Sequence, residues 1–472
     1  MKRNTIFALL WNGIDKVGFQ VIALLVGIFT ARLLTPKDFG LMGALSVFTM
    51  LSNILIESGF TSALVRRPHN TREEYTAILY FNLSISLFLY AILFFSAPFI
   101  SSFFNMPELT NLSRFLFLTI IVNSLGIVQT IVLTKELSFR LLSVANLIAA
   151  IVAGAVTLVL IIFFSFDYWA LAWQVFLQSA VKVLILWIFG SYKLTFKAHF
   201  GVVKEVFSFS CFLLLTSLFN AIVKNIYNIL IGRLFSVQQL GYYSQANKFQ
   251  QIPSNVVATT MTGVAFPVLS KLRENLDRQV QYFSKILRLT ACVIFPLMLG
   301  MFAVTDSLVS LVLTDKWLPA VPMFRLLILA AILYPLHSLN LNFILVRGYS
   351  KINFYLDLTK NVLILTSIAF SFTNITLMLL YFSLASLFSY IIDIFVVQRI
   401  TGYSVWKQIK NILPFAVASI VMLLMIFGVA ECFSSELTQL QLLCFQVFVA
   451  MIFYACFVLL INYCASTEQK LF

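Results

Sequence analysis

Two stretches decide the fold: ARLLTPKDFGL at residues 31–41 and GRLFSVQQLGY at residues 232–242. Arg32, Leu33 and Gly40 recur as Arg233, Leu234 and Gly241, each 201 residues later. Both copies close an apolar run and open a short connection before the next apolar run. Coincidence among leucine-rich segments could produce three identities. The matching position in the chain favours duplication. Around these copies the sequence consists of apolar runs of about 20 residues, the length that crosses a bilayer as a helix. The chain is 61% hydrophobic and 11% charged over 472 residues, against about 45–50% and 25% in soluble domains. No soluble fold of this size could hide that much apolar surface. A soluble enzyme, a nucleic-acid binder and a disulfide-rich scaffold are excluded. The runs lack the short polar/apolar alternation of a membrane β-barrel. The expected fold class is therefore an all-α integral membrane protein.

Windows of about 19 residues predict fourteen transmembrane helices, at 11–31, 41–64, 77–101, 114–133, 142–164, 168–189, 207–231, 242–266, 286–305, 323–346, 358–373, 375–397, 412–430 and 441–464. The net charge of +14 sorts by side. Of the 32 Lys and Arg residues, 22 fall in loops on one side and six (Arg32, Lys37, Arg114, Arg233, Lys316, Arg325) on the other, while Lys16, Lys182, Lys224 and Lys248 fall within spans. The rich side is expected to be cytoplasmic, with both termini there. Met1-Lys2-Arg3 opens the first helix, which Asn12, Asp15 and Lys16 interrupt. It is expected to be retained and not cleaved as a signal peptide. Cys211, Cys292, Cys432, Cys444, Cys456 and Cys464 form no Cys-x-x-Cys pair, so neither a metal site nor a disulfide framework is indicated.

Six spans separate the repeated stretches. An even number gives the two halves the same direction, which is a parallel repeat about an axis along the membrane normal. The expected organisation is an N-terminal six-helix lobe (1–192), a basic cytoplasmic linker (193–206), a C-terminal six-helix lobe (207–400) and an appended pair of helices (401–472). Paired parallel lobes are a transporter architecture, an inference by fold analogy that a site must support.

Ionisable residues in the bilayer are expensive, at about 2.5–3.5 kcal/mol each on insertion scales. Seven are predicted there: Asp15, Lys16, Glu57, Lys182, Lys224, Lys248 and Asp393. Amides accompany them at steps of three or four, which keeps each set on one helix face. The sets are Asn12, Lys16 and Gln20; Gln174, Gln178 and Lys182; Thr216, Asn220, Lys224 and Asn228; and Gln245, Lys248, Gln251 and Asn255. Such stripes serve either as interhelical hydrogen-bond glue or as a cavity lining. Lys16 could instead pair with Asp15 or snorkel to the surface. Four lysines against three acids leave this interior positive. Lysine suits phosphate as a point charge, and amides suit sugar hydroxyls. The candidate substrate-cavity residues are Lys16, Gln20, Lys182, Asn220, Lys224, Asn228, Lys248 and Gln251. The candidate ion-coupling residues are Asp15, Glu57 and Asp393. His337 follows Pro335, a helix kink, and is expected to be structural. No catalytic, metal or cofactor site is indicated.

Ala31-Arg32-Leu33-Leu34-Thr35-Pro36-Lys37-Asp38-Phe39-Gly40-Leu41, Glu57-Ser58-Gly59-Phe60 and Ala63-Leu64-Val65-Arg66-Arg67 resemble the polysaccharide transporter family, the lipid-linked oligosaccharide flippases. That family lies within the multidrug/oligosaccharidyl-lipid/polysaccharide exporter superfamily. The closest resemblance is to its colanic-acid and teichuronic-acid exporter branch. The motifs are strong near the N-terminus and loose after residue 270. The resemblance implies two MATE-like six-helix lobes, a V-shaped cavity and alternating access. It implies an undecaprenyl-diphosphate-linked oligosaccharide flipped from the cytoplasmic to the periplasmic leaflet of the bacterial inner membrane. It also implies membrane lipids and polysaccharide polymerase or assembly proteins as partners. Three alternatives are weighed, of which a non-transporting scaffold or receptor is disfavoured by the charged stripes. A multidrug or cation exporter of the same superfamily would need an acidic cavity, which the lysine excess disfavours. A membrane glycan polymerase would need paired carboxylates, but Asp38, Glu108, Asp167, Asp306, Asp315, Glu431 and Glu436 are scattered singly.

Overall fold

A computed structural model of the chain describes residues 2–57, 64, 70–195, 197–433 and 437–465. Regular structure among them is helical, with no strand. The chain divides into two compact units, Met1–Ser244 and Gln245–Phe472.

The first unit holds α1 (Lys2–Leu33), α2 (Pro36–Glu57), α3 (Arg72–Phe104), α4 (Leu109–Leu116), α5 (Leu118–Lys135), α6 (Phe139–Phe164), α7 (Tyr168–Phe189), α8 (Gly201–Leu234) and the start of α9 (Val237–Lys271). Local chemistry sets the helix starts. Pro36 opens α2, where a missing N–H costs nothing. The Asp38 carboxylate accepts from the backbone N–H and the hydroxyl of Thr35 at 2.8 and 2.7 Å. At α3 the Thr71 hydroxyl accepts from Glu74 N–H, and the Glu74 carboxylate accepts from Thr71 N–H. This reciprocal cap satisfies two orphan donors. Packing then follows small residues. On α6, Ala145, Ala149, Ala153 and Gly154 form the inner face. A Cβ at Gly154 would lie 2.5 Å from the Val26 side chain, so α1 and α6 approach closely there. The opposite face exposes Ile148, Ile151, Val159 and Ile162. Small residues inside and large apolar residues outside are the pattern of a helix in lipid.

The second unit continues α9 and adds α10 (Leu276–Ala303), α11 (Thr305–Leu313), a 3₁₀ turn (Asp315–Ala320), α12 (Val321–Ile332), α13 (Tyr334–Val346), α14 (Ser350–Ala369), α15 (Ile375–Thr401), α16 (Val405–Phe433) and α17 (Gln439–Ala465). Asn374 caps α15 by accepting from Thr376 N–H at 2.8 Å, and Gly402 ends it with φ +72°. A left-handed residue after a helix is the usual glycine stop. Met422 and Ile426 of α16 bury against Ala303 and Val304, with Phe453 and Tyr454 of α17 packed alongside. The last two helices are thus tied to α10.

Twelve helices among the described residues are long and apolar enough to cross a membrane. The protein is a multi-pass membrane protein. The expected spans 207–231 and 358–373 fall on α8 and α14, which are not among the twelve. Pro335 acts as expected. The span 323–346 divides into α12 and α13 at Leu333, and Pro335 is the second residue of the new helix, where proline is tolerated. The division between units falls at 244/245, inside α9. The reason is local: α8 packs on α2 and α3, and the start of α9 meets the start of α2.

Candidate functional site

That last contact joins the two repeated stretches. A Cβ at Gly40 would lie 2.0 Å from the Val237 carbonyl oxygen, and a Cβ at Gly241 would lie 1.8 Å from the Pro36 carbonyl oxygen. Pro36 and Val237 are separated by the same 201 residues as Gly40 and Gly241. Each copy therefore places its glycine against the other copy's helix start. Only glycine admits the approach.

The remaining polar residues of the first unit fall into two groups. On α1 the Asp15 carboxylate accepts from the Asn146 side chain of α6 at 3.0 and 3.2 Å. Ser143 donates to the Trp11 carbonyl at 2.9 Å, and Arg140 lies over the Trp11 ring. These contacts hold α1 to α6. Lys16 is exposed on the same helix and Gln20 is half-buried. The second group lies along α8. Asn225 donates to Met50 Sδ at 2.9 Å, and Asn228 donates to Ser46 Oγ and Asn225 Oδ1 at 3.3 Å each. Farther along α2, Asn53 accepts from Asn123 of α5 at 3.1 Å. Asn228 was expected in the stripe. Asn225 was not, because steps of four from Thr216 pass over it; it lies three residues before Asn228, and both side chains reach α2. Lys224 and Asn220 are exposed, Lys182 on α7 is half-buried, and neither Lys182 nor Asn220 is free. Lys224 forms no ion pair with a described residue. The side chains of Glu57, Asn12 and Thr216 lie outside the described residues.

In the second unit Lys248 is exposed and makes no ion pair with a described residue. Gln250 and Gln251 both donate to Asn247 Oδ1, at 2.9 and 3.0 Å. A separate constellation lies inside the unit. His337 Nδ1 of α13 contacts Asp393 Oδ2 of α15 directly. Asp393 is 1% exposed and His337 5%. Asp357 of α14 lies within electrostatic range of both and of Lys360. The other Asp393 oxygen is buried with no hydrogen-bond partner among the described groups. The sequence named Asp393 but not its partner. Fifty-six residues separate the two, and no periodicity reports on such a pair.

The described residues contain no group of three His, Cys, Asp or Glu side chains placed to hold a metal. The polar inventory is exposed lysine beside amide ladders, with one buried histidine–aspartate pair. Residues 29–322 match the family described as "Polysaccharide biosynthesis protein". The chain belongs to this family. The membership expected from residues 31–41 is confirmed. The teichuronic acid biosynthesis protein TuaB of Bacillus subtilis (strain 168) is 26% identical over 348 residues, covering 74% of this chain and 72% of that one. The succinoglycan biosynthesis transport protein ExoT of Rhizobium meliloti (strain 1021) is 28% identical over 321 residues, covering 68% and 65%. Among solved structures, the lipid II flippase MurJ in an inward closed conformation matches with a TM-score of 0.78 at 14% identity, covering 97% of this chain and 99% of that one. At that identity the likeness establishes the fold alone. The all-helical fold expected from the sequence is thus shared by a flippase along nearly its whole length.

Proposed function

We propose that this protein flips an oligosaccharide linked to undecaprenyl diphosphate from the cytoplasmic to the periplasmic leaflet of the bacterial inner membrane, by alternating access. The family match over residues 29–322 carries the proposal. The fold shared with a lipid II flippase and the side-chain chemistry support it. Lys224 and Lys248 are exposed residues whose amines no described carboxylate neutralises. Such groups meet phosphate oxygens as point charges. Lys16 and Lys182 are assigned the same role. Gln20, Asn220, Asn228 and Gln251 supply donors and acceptors for sugar hydroxyls. Its relatives and structural neighbours include a transport protein and a flippase, and the protein acts as a transporter, not an enzyme.

Asp393 is the favoured coupling residue. It is a carboxylate buried beside an imidazole, and its second oxygen has no partner among the described groups. Asp15 is already engaged by Asn146, which fits a structural role. Both termini lie in the cytoplasm, and polysaccharide polymerase or assembly proteins take up the product. Deletion of the gene tests the function. Lipid-linked repeat units are expected to accumulate on the inner leaflet while surface polysaccharide disappears. Unchanged surface polysaccharide would overturn it.

A further inference from the structure

A cavity of about 370 Å³ opens in the second unit, at the end of α16 that follows Gly402. Its volume falls in the range of small-ligand sites, about 300–1,000 Å³. Lys407, Lys410, Asn411 and Pro414 line it from α16, at steps that share one helix face. Ser284 and Arg288 line it from α10, one turn apart. Among the described lining residues there is no carboxylate, and three cations converge there.

The polar floor is built. Asn411 is 7% exposed and Tyr403 5%. Asn411 Oδ1 accepts from Arg288 Nε–H at 2.6 Å, and its amide donates to Ser284 Oγ at 2.7 Å and contacts the Tyr403 hydroxyl. Tyr403 in turn donates to Ser284 Oγ at 3.1 Å. Arg288 is thus fixed through Nε, and its two terminal nitrogens make no hydrogen bond to a described residue. A guanidinium held in this way presents a forked donor to a phosphate. Phe415 and Ile461 form an apolar wall beside it. A basic pocket between membrane helices, on the side where the loop lysines and arginines concentrate, suits an anionic lipid headgroup.

We propose that this cavity is a binding site for the phosphate headgroup of an anionic membrane phospholipid, with Arg288, Lys407 and Lys410 on the phosphate and Phe415 and Ile461 beside the first carbons of the lipid. The site is distinct from the lysines assigned to the transported substrate and does not depend on that assignment.

Native mass spectrometry of the purified full chain in detergent, titrated with phosphatidylglycerol or phosphatidylcholine, tests the site. The wild type is expected to retain phosphatidylglycerol at least tenfold better than phosphatidylcholine. Lys407→Gln/Lys410→Gln is expected to abolish that preference, while Lys271→Gln/Arg273→Gln, basic but outside the cavity, keeps it. Millimolar inorganic phosphate is expected to leave the bound lipid in place. If the double variant aggregates, Lys410→Gln alone decides, with an expected loss of at least threefold. Equal retention of the two lipids by the wild type would overturn the proposal. So would an unchanged preference in the lysine variants, an equal loss in the control, or displacement by free phosphate.

Discussion

Gly241→Ala is the sharpest test of the paired helix starts. The new Cβ would sit 1.8 Å from the Pro36 carbonyl oxygen, where ordinary contact begins at 3.4 Å. The start of α9 would have to retreat from α2 by roughly 1.6 Å, because the obstacle is backbone and cannot rotate away. Overpacking of a well-packed interior costs about 1–3 kcal/mol, and a clash with backbone belongs at the upper end. That corresponds to roughly a hundredfold shift toward the separated arrangement. Gly40→Ala breaks the same contact from the other side, at 2.0 Å from the Val237 oxygen. The two substitutions share one contact, so the double variant is expected to lose less than the sum of the singles. Gly263 lies on α9 with nothing within 4 Å of its Cβ position. There alanine removes backbone entropy without strain and is expected to stabilise by about 0.5–1 kcal/mol. Thermal unfolding of the purified protein in detergent reads all four variants. Gly241→Ala melting together with Gly263→Ala would refute the reciprocal contact.

Asp393→Asn removes the carboxylate that His337 meets. Breaking a buried pair from one side costs about 3–5 kcal/mol, so lower protein yield is expected, and export by the surviving protein is expected to lose its dependence on the proton gradient; an unchanged dependence would exclude the coupling role. The Lys37–Glu108 pair, at 2.7 Å, predicts a small acid-sensitive contribution to stability. Its hydrogen bond with Lys37, more than any other influence, holds the Glu108 carboxyl below its ordinary 4.5. A depressed carboxyl stabilises above its unfolded value, and that stability is lost as pH falls below about 4.5 toward the folded value. With both side chains partly exposed the effect is at most about 1 kcal/mol, and Glu108→Gln is expected to flatten that limb of the pH–stability curve. Single-cysteine labelling is expected to place positions 67 and 410 in the cytoplasm and 37 and 316 outside; any reversal breaks the proposed topology.

Much of the architecture was legible because hydropathy and backbone chemistry are local. Apolar runs near 20 residues long announced the membrane helices, and Pro335 announced the break between α12 and α13. Gly40 and Gly241 also stood out in the sequence, and each lies where a helix start leaves no room for a side chain. The partnerships were not legible. Asp15 with Asn146, His337 with Asp393, and Arg288 with Asn411 join residues 131, 56 and 123 positions apart. Helical spacing tells which residues share a face but not which helix that face meets. Asn225 shows the same limit on a smaller scale. Steps of four from Thr216 pass over it, yet it lies three residues before Asn228 and both side chains reach α2, as residues three apart share a helix face. The basic cavity was hidden for a related reason. Its lysines look like ordinary topology signals until α10 brings Arg288 beside them.

The central claim is that unneutralised lysines recognise the diphosphate of a lipid-linked glycan. It is tested most directly by reconstituting the full chain in vesicles carrying a lipid-linked oligosaccharide and measuring its appearance in the opposite leaflet. At an effective dielectric constant of about 20, a lysine near 4 Å from one phosphate charge contributes about 4 kcal/mol before desolvation. Retaining only a third of that still gives about tenfold. Lys224→Ala and Lys248→Ala are each expected to slow flipping at least tenfold, with insertion and unfolding temperature unchanged. Wild-type rates in both variants would contradict the account.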